Sequence, residues 1–195
     1  MKLTAKQIFF VTLICAALGF AAWTFLAAGT KTNSRHGAPF NLVDDLGAPI
    51  TDRALQSHPS LVFFGYTHCP EVCPTTLYEM AGWFKALGPA ADGLKAYFFT
   101  VDPERDTPEI IHGYTSNFTD RVTGITGDPA EVQKVIKEWQ IFVRKVPTAD
   151  GDYTIDHTAS VFMLDDQGRL KGTIAYGEEV NSALAKIQTL LKSAG

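Results

Sequence analysis

Leu61-Val62-Phe63-Phe64-Gly65-Tyr66-Thr67-His68-Cys69-Pro70-Glu71-Val72-Cys73-Pro74 is the stretch on which the reading of the fold turns. Its opening residues form an unbroken apolar run, the mark of a strand covered on both faces. The run passes through a turn that holds two cysteines and enters a helical pattern. There Leu77, Met80, Ala81, Phe84 and Leu87 recur at helical spacing, and Gly88-Pro89 supplies the stop. The alternation continues downstream. Residues 95–101 read as a second buried strand, and Thr107 caps a helix opened by Pro108. Residues 122–126 make a short strand, and Asp128-Pro129 starts a helix with Val132, Val135, Ile136 and Trp139 on one face. Residues 160–164 and 170–176 flank Asp165-Asp166-Gln167-Gly168-Arg169, a hairpin signal. A last helix from about Glu179 is expected to turn Val180, Leu184, Ile187 and Leu191 inward. This order implies an α/β sandwich with a parallel centre and an antiparallel edge pair.

The chain has 195 residues, and setting aside an apolar leader leaves about 165, one ordinary domain. Apolar residues make up 46% and charged ones 19%, which excludes wholesale disorder. With Lys2 and Lys6 ahead of the leader, the chain from residue 31 carries 15 basic and 21 acidic side chains, a net charge of −6. An acidic domain without a basic stripe is a poor nucleic-acid binder. Three cysteines are too few for a disulfide scaffold, and three methionines exclude a Met-rich metal binder.

Residues 8–28 contain no charge, and at ~1.5 Å per residue they span about 31 Å as a helix, the thickness of a bilayer's hydrocarbon. A cleavable signal has a shorter apolar core, so a transmembrane anchor is expected. Only seven residues precede it, with no Arg-rich, Ser-rich transit segment. That favours a bacterial inner-membrane protein with residues 1–7 cytoplasmic, 29–39 as a polar tether and 40–195 as a domain facing the periplasm.

Cys69 and Cys73 stand four apart between a buried strand and a helix, a spacing that brings both sulfurs to one side of a helical turn. The free N–H groups and positive dipole end of that helix favour thiolate over thiol. Two such thiolates can clamp a soft metal or close to a disulfide. Zinc usually takes four closed ligands or three plus water, whereas two thiolates with one imidazole suit copper. Among the histidines, His36 lies in the tether and His58 in a loop, both expected to face solvent, and His112 sits within a helix. His68 adjoins Cys69 and points away from it on an extended segment. His157, just before the hairpin's first strand, lies in a loop expected to emerge beside the thiol turn, and is preferred by that direction.

Residues 65–74 (Gly-Tyr-Thr-His-Cys-Pro-Glu-Val-Cys-Pro), residues 101–108 (Val-Asp-Pro-Glu-Arg-Asp-Thr-Pro) and Asp156-His157-Thr158 together resemble the Sco/SenC family of membrane-anchored, thioredoxin-like copper proteins. The resemblance runs from about Ala38 to the C-terminus. It implies a thioredoxin-like sandwich, with a mixed sheet, a C-terminal hairpin and helices on both faces. It also implies copper held by Cys69, Cys73 and His157, with Asp102 in a neighbouring acidic loop as a supporting or partner-contact residue. The implied role is help in assembling cytochrome c oxidase by delivering copper to the CuA site of its subunit II. That role needs a copper donor and a thiol reductant as further partners. Glu71 stands where the family often has Asp. Unlike ordinary thioredoxins, the thiol pair has three intervening residues and no proline lies just before Ser160.

A second function drawing on the same thiols is a thiol–disulfide reductase that keeps subunit II cysteines reduced. Neither role requires enzymatic turnover. A peroxidase-like scavenger would need a single activated cysteine, which the adjacent pair does not favour. Residues 102–106 otherwise read as a solvated charged loop.

Overall fold

A computed structural model describes residues 36–193. The expected anchor at 8–28 and most of the tether lie outside them. No helix among the described residues is long and apolar enough to cross a membrane.

The order of elements is β1 (Asn41–Asp44), β2 (Pro49–Thr51), β3 (Ser60–Gly65), α1 (Val72–Leu87), β4 (Lys95–Thr100), α2 (Pro108–Ser116) and β5 (Val122–Thr126). Then follow α3 (Pro129–Glu138), β6 (Val143–Pro147), β7 (Tyr153–His157), β8 (Val161–Leu164), β9 (Leu170–Ile174) and α4 (Val180–Ser193). Seven strands form one sheet in the order β2-β1-β5-β4-β3-β8-β9, and β6 pairs β7 in a separate ribbon. The centre, β5-β4-β3, is parallel; β8 and β9 extend it antiparallel on one side, β1 and β2 on the other.

The apolar run of β3 is buried along its whole length because helices or their flanking residues cover both faces. Successive side chains point to opposite sides. Phe63 and Phe98 lie under α1 and α2, where Phe98 meets Tyr114 at 5.9 Å between ring centroids. Phe64 and Phe99 face the other way and stack at 5.2 Å, closed over by Trp139 at the end of α3 and by Phe162. Along α1, Cys73, Thr76, Leu77, Met80, Trp83 and Phe84 are buried at helical spacing, and Gly88 ends the helix in the left-handed region at φ 53°. Thr107 caps α2 by accepting from Ile110 N–H, and Asp128 caps α3 by accepting from Ala130 and Glu131 N–H. This thioredoxin-like architecture puts the C-terminal end of β3, and so the thiol turn, at one edge of the parallel centre.

Several expectations are corrected. The hairpins β1–β2 and β6–β7 were not anticipated, because their strands are short and mixed in polarity, and only Leu42 and Ile155 among them are buried. Val180 is 52% exposed rather than inward, since it opens α4 before the helix reaches the sheet. His36 is not solvent-facing: its ring stands edge-on to Trp139 at 4.7 Å and stacks near Phe162, and its backbone N–H donates to Gly168 C=O. The packed domain thus includes part of the expected tether. His58 is half-buried beside Ser60. The charged stretch 102–106 is not a solvated loop, because Asp102 and Asp106 are 1% and 0% exposed.

Candidate metal centre

Beyond β3 the chain turns on a Cys69 N–H to Tyr66 C=O bond and enters α1 at Val72. Glu71 occupies the N-cap position without a side-chain bond. The sulfur of Cys69 takes that part, accepting from the Cys73 N–H at 3.3 Å. A helix start that needs an acceptor therefore supplies one thiolate with a donor. Pro74, in the first turn, has no N–H to leave unsatisfied. Cys69 precedes the helix and is half-buried, while Cys73 lies within it and is fully buried.

His157 is the last residue of β7, in the unanticipated ribbon rather than in a loop. Its Nε2 lies 3.3 Å from the Cys73 sulfur. One ligand atom from each of Cys69, Cys73 and His157 lies within 4.8 Å of the others. The Nδ1–H donates to the Thr158 C=O at 2.9 Å, which leaves the Nε2 lone pair facing the sulfurs. The Tyr66 ring packs edge-on to the imidazole at 5.8 Å, and its hydroxyl accepts from Ile155 N–H at 3.0 Å. The centre opens on a cleft of about 340 Å³ whose lining includes Cys69, Pro70, Glu71, Asp156 and His157.

The two sulfurs differ electrostatically. The hydrogen bond from the Cys73 thiol pulls the pKa of Cys69 down to about 4 against the opposing effect of burial, helped by backbone N–H groups. Burial pushes the Cys73 thiol up, and the neighbouring Cys69 sulfur adds to that. Cys69 is the charged, accessible sulfur and Cys73 holds the proton. Iodoacetamide at pH 6 should therefore label Cys69 at least about tenfold faster than Cys73 in the reduced chain, falling off only as pH drops toward the Cys69 pKa. Peptide mass mapping reads the ratio, and equal labelling would contradict the assignment.

The structure brings together all three ligand residues expected from the sequence. Asp102 does not reach them; it accepts from Arg105 Nε and, at 2.8 Å, from the Tyr153 hydroxyl, joining its loop to the ribbon that carries His157. His36, His58, His68 and His112 are not part of the centre. Two supporting residues had not been singled out. A Cβ on Gly65 would come within 2.8 Å of both the Cys73 sulfur and the Phe98 ring, so only glycine lets the thiol pack there. Asp106 accepts from Thr67 N–H, from the Thr67 hydroxyl and from the Thr100 hydroxyl, tying the thiol turn to the end of β4. The signals for Asp106 were its place in the motif of residues 101–108 and a carboxylate beside the helix cap Thr107.

A family model described as SCO1/SenC matches residues 28–192. An SCO2-like protein of Rickettsia prowazekii is 34% identical over 135 residues, covering 68% of this chain and 66% of its own length. Among solved structures, Bradyrhizobium japonicum ScoI with copper bound is 45% identical with a TM-score of 0.74, covering 79% of this chain and 98% of that one. Yeast Sco1 with copper bound is 28% identical with a TM-score of 0.75, covering 82% and 90%. With its fold, its thiol turn and its facing imidazole in place, the chain belongs to the SCO1/SenC family.

Proposed function

We propose that this chain is a copper chaperone that carries one copper ion between Cys69, Cys73 and His157 and delivers it to the CuA site of cytochrome c oxidase subunit II. The observation that carries the reading is the convergence of two sulfurs and a free imidazole nitrogen within 4.8 Å. The donor set fits the cargo: thiolates are soft ligands suited to Cu(I), and the imidazole helps the same site accept Cu(II). The likeness to a ScoI solved with copper bound supports the same choice. Three ligands beside an open cleft also suit a carrier, since an acceptor's thiols can enter on the Cys69 side and exchange for the protein's own. In this reading residues 8–28 anchor the chain in a bacterial inner membrane and the domain works in the periplasm.

The reduced chain should bind about one equivalent of copper, and Cys69→Ser or Cys73→Ser should abolish it. Metal analysis after desalting, with a thiolate-to-copper charge-transfer band in the Cu(II) spectrum, reads the outcome. Full copper in both variants would sink the proposal. A thiol–disulfide reductase acting on subunit II is the second reading, favoured by the depressed pKa and exposure of Cys69 beside a partner sulfur.

A further inference from the structure

The ribbon that carries His157 stands outside the main sheet, and a two-stranded hairpin has little stability of its own. Ile155 is the one fully buried residue of β6 and β7. The position of the imidazole therefore depends on side-chain ties between ribbon and body, and most of these meet at Arg105, in the loop between β4 and α2.

Arg105 Nε donates to the buried carboxylate of Asp102. Its Nη1 donates to Tyr153 C=O at 3.2 Å and to Asp152 at 3.0 Å, at the entry to β7. The guanidinium lies 3.7 Å from the centre of the Tyr153 ring and 5.8 Å from that of Tyr66. The Tyr153 hydroxyl closes the loop by donating to Asp102 at 2.8 Å. On β6, Lys145 pairs with Glu104 and lies 4.4 Å from the same Tyr153 ring.

From these contacts we infer that Arg105 is a positioning residue for the metal centre, a latch that holds Tyr153 against the body and so sets His157 over the two sulfurs. The inference rests on the copper reading for its purpose, though not for its geometry. The latch uses what a guanidinium has and an ammonium lacks, a planar fork that stacks on a ring while donating at both edges. The Arg105 side chain is 17% exposed and that of Asp102 0%, so this is not an ordinary solvent-screened surface pair. It acts on the imidazole alone, because Cys69 and Cys73 are placed by β3 and α1.

The test uses the full chain with two variants. Arg105→Lys keeps a cation beside Asp102 and loses the fork. The double variant Arg105→Met/Asp102→Asn removes the latch without stranding a buried charge. In the apo chain, both should speed amide exchange at residues 153–157 by roughly tenfold and shift the His157 ring resonances, with β3 and β4 unchanged. Cu(II) affinity should fall by about 10- to 100-fold, as for other outer-sphere changes, while Cu(I) affinity moves by less than about threefold. Unchanged ribbon exchange in both variants overturns the latch, and so does a rise spread equally over β3 and β4. Faster exchange with unmoved ring resonances and unmoved Cu(II) affinity overturns the positioning role. Should the unsubstituted chain bind no copper, the chaperone reading fails while the exchange and ring signals still decide the latch.

Discussion

His157→Ala should weaken Cu(II) binding by about 100-fold or more while thiol–disulfide exchange stays within about threefold of the unsubstituted chain. The imidazole supplies the one nitrogen of the site, with Nδ1 spent on Thr158 C=O and Nε2 directed at the Cys73 sulfur. Cu(I), satisfied by two thiolates, should lose less. Exchange should persist because Cys69 keeps the donors that depress its pKa: the Cys73 thiol, which has the largest effect, and the Cys73 N–H. Copper titrations in each oxidation state, alongside reduction of a small-molecule disulfide, separate the two functions. Loss of both together would mean that one chemistry serves both. Retention of Cu(II) at full affinity would remove His157 from the site.

Asp106→Ala should cost about 3 kcal/mol, because it strands the buried Thr100 hydroxyl and the half-buried donors of Thr67. Its carboxylate accepts from the Thr100 hydroxyl at 2.6 Å, from the Thr67 hydroxyl at 2.6 Å and from the Thr67 N–H, and the residue is 0% exposed. Burial pushes its carboxyl above the ordinary range, and the hydrogen bonds from Thr100 and Thr67 pull back. At about 2–4 °C per kcal/mol for a domain of this size, the midpoint of thermal unfolding should fall by roughly 6–12 °C. Asp106→Asn, which keeps one acceptor, should lose about half as much. A drop below about 2 °C for the alanine variant would show that Thr67 and Thr100 find other partners. Because Thr67 begins the thiol turn, copper binding should weaken at temperatures where the chain is still folded.

The strands and helices that carry long apolar patterns were readable because burial on one or both faces leaves a period in the residues. Residues 61–65, the spacing of Leu77, Met80 and Phe84, and the caps Thr107 and Asp128 all followed from local chemistry. The ribbon β6–β7 left no such period. It mixes exposed and half-buried residues around Ile155 without alternation, and its place is set by Arg105, Tyr66 and Tyr153, contacts separated by tens of residues. For the same reason residues 102–106 read as a solvated loop: nothing local reveals that Asp102 and Asp106 are buried and find partners from β7, β4 and the thiol turn.

Two neighbouring cysteines at the start of a helix were chemically informative before any coordinates, since their spacing and the helix N-terminus act over one turn of chain. Which histidine would join them was a long-range question, settled when the ribbon laid His157 over Cys73 across 84 residues of sequence. Local pattern could name the sulfurs and the scaffold beneath them. The third candidate ligand was preferred in the sequence only by the expected direction of its segment and by the family resemblance. Its place over Cys73, its tautomer and the pocket around it came from packing, because side-chain contacts between distant segments leave no period in the chain to be read.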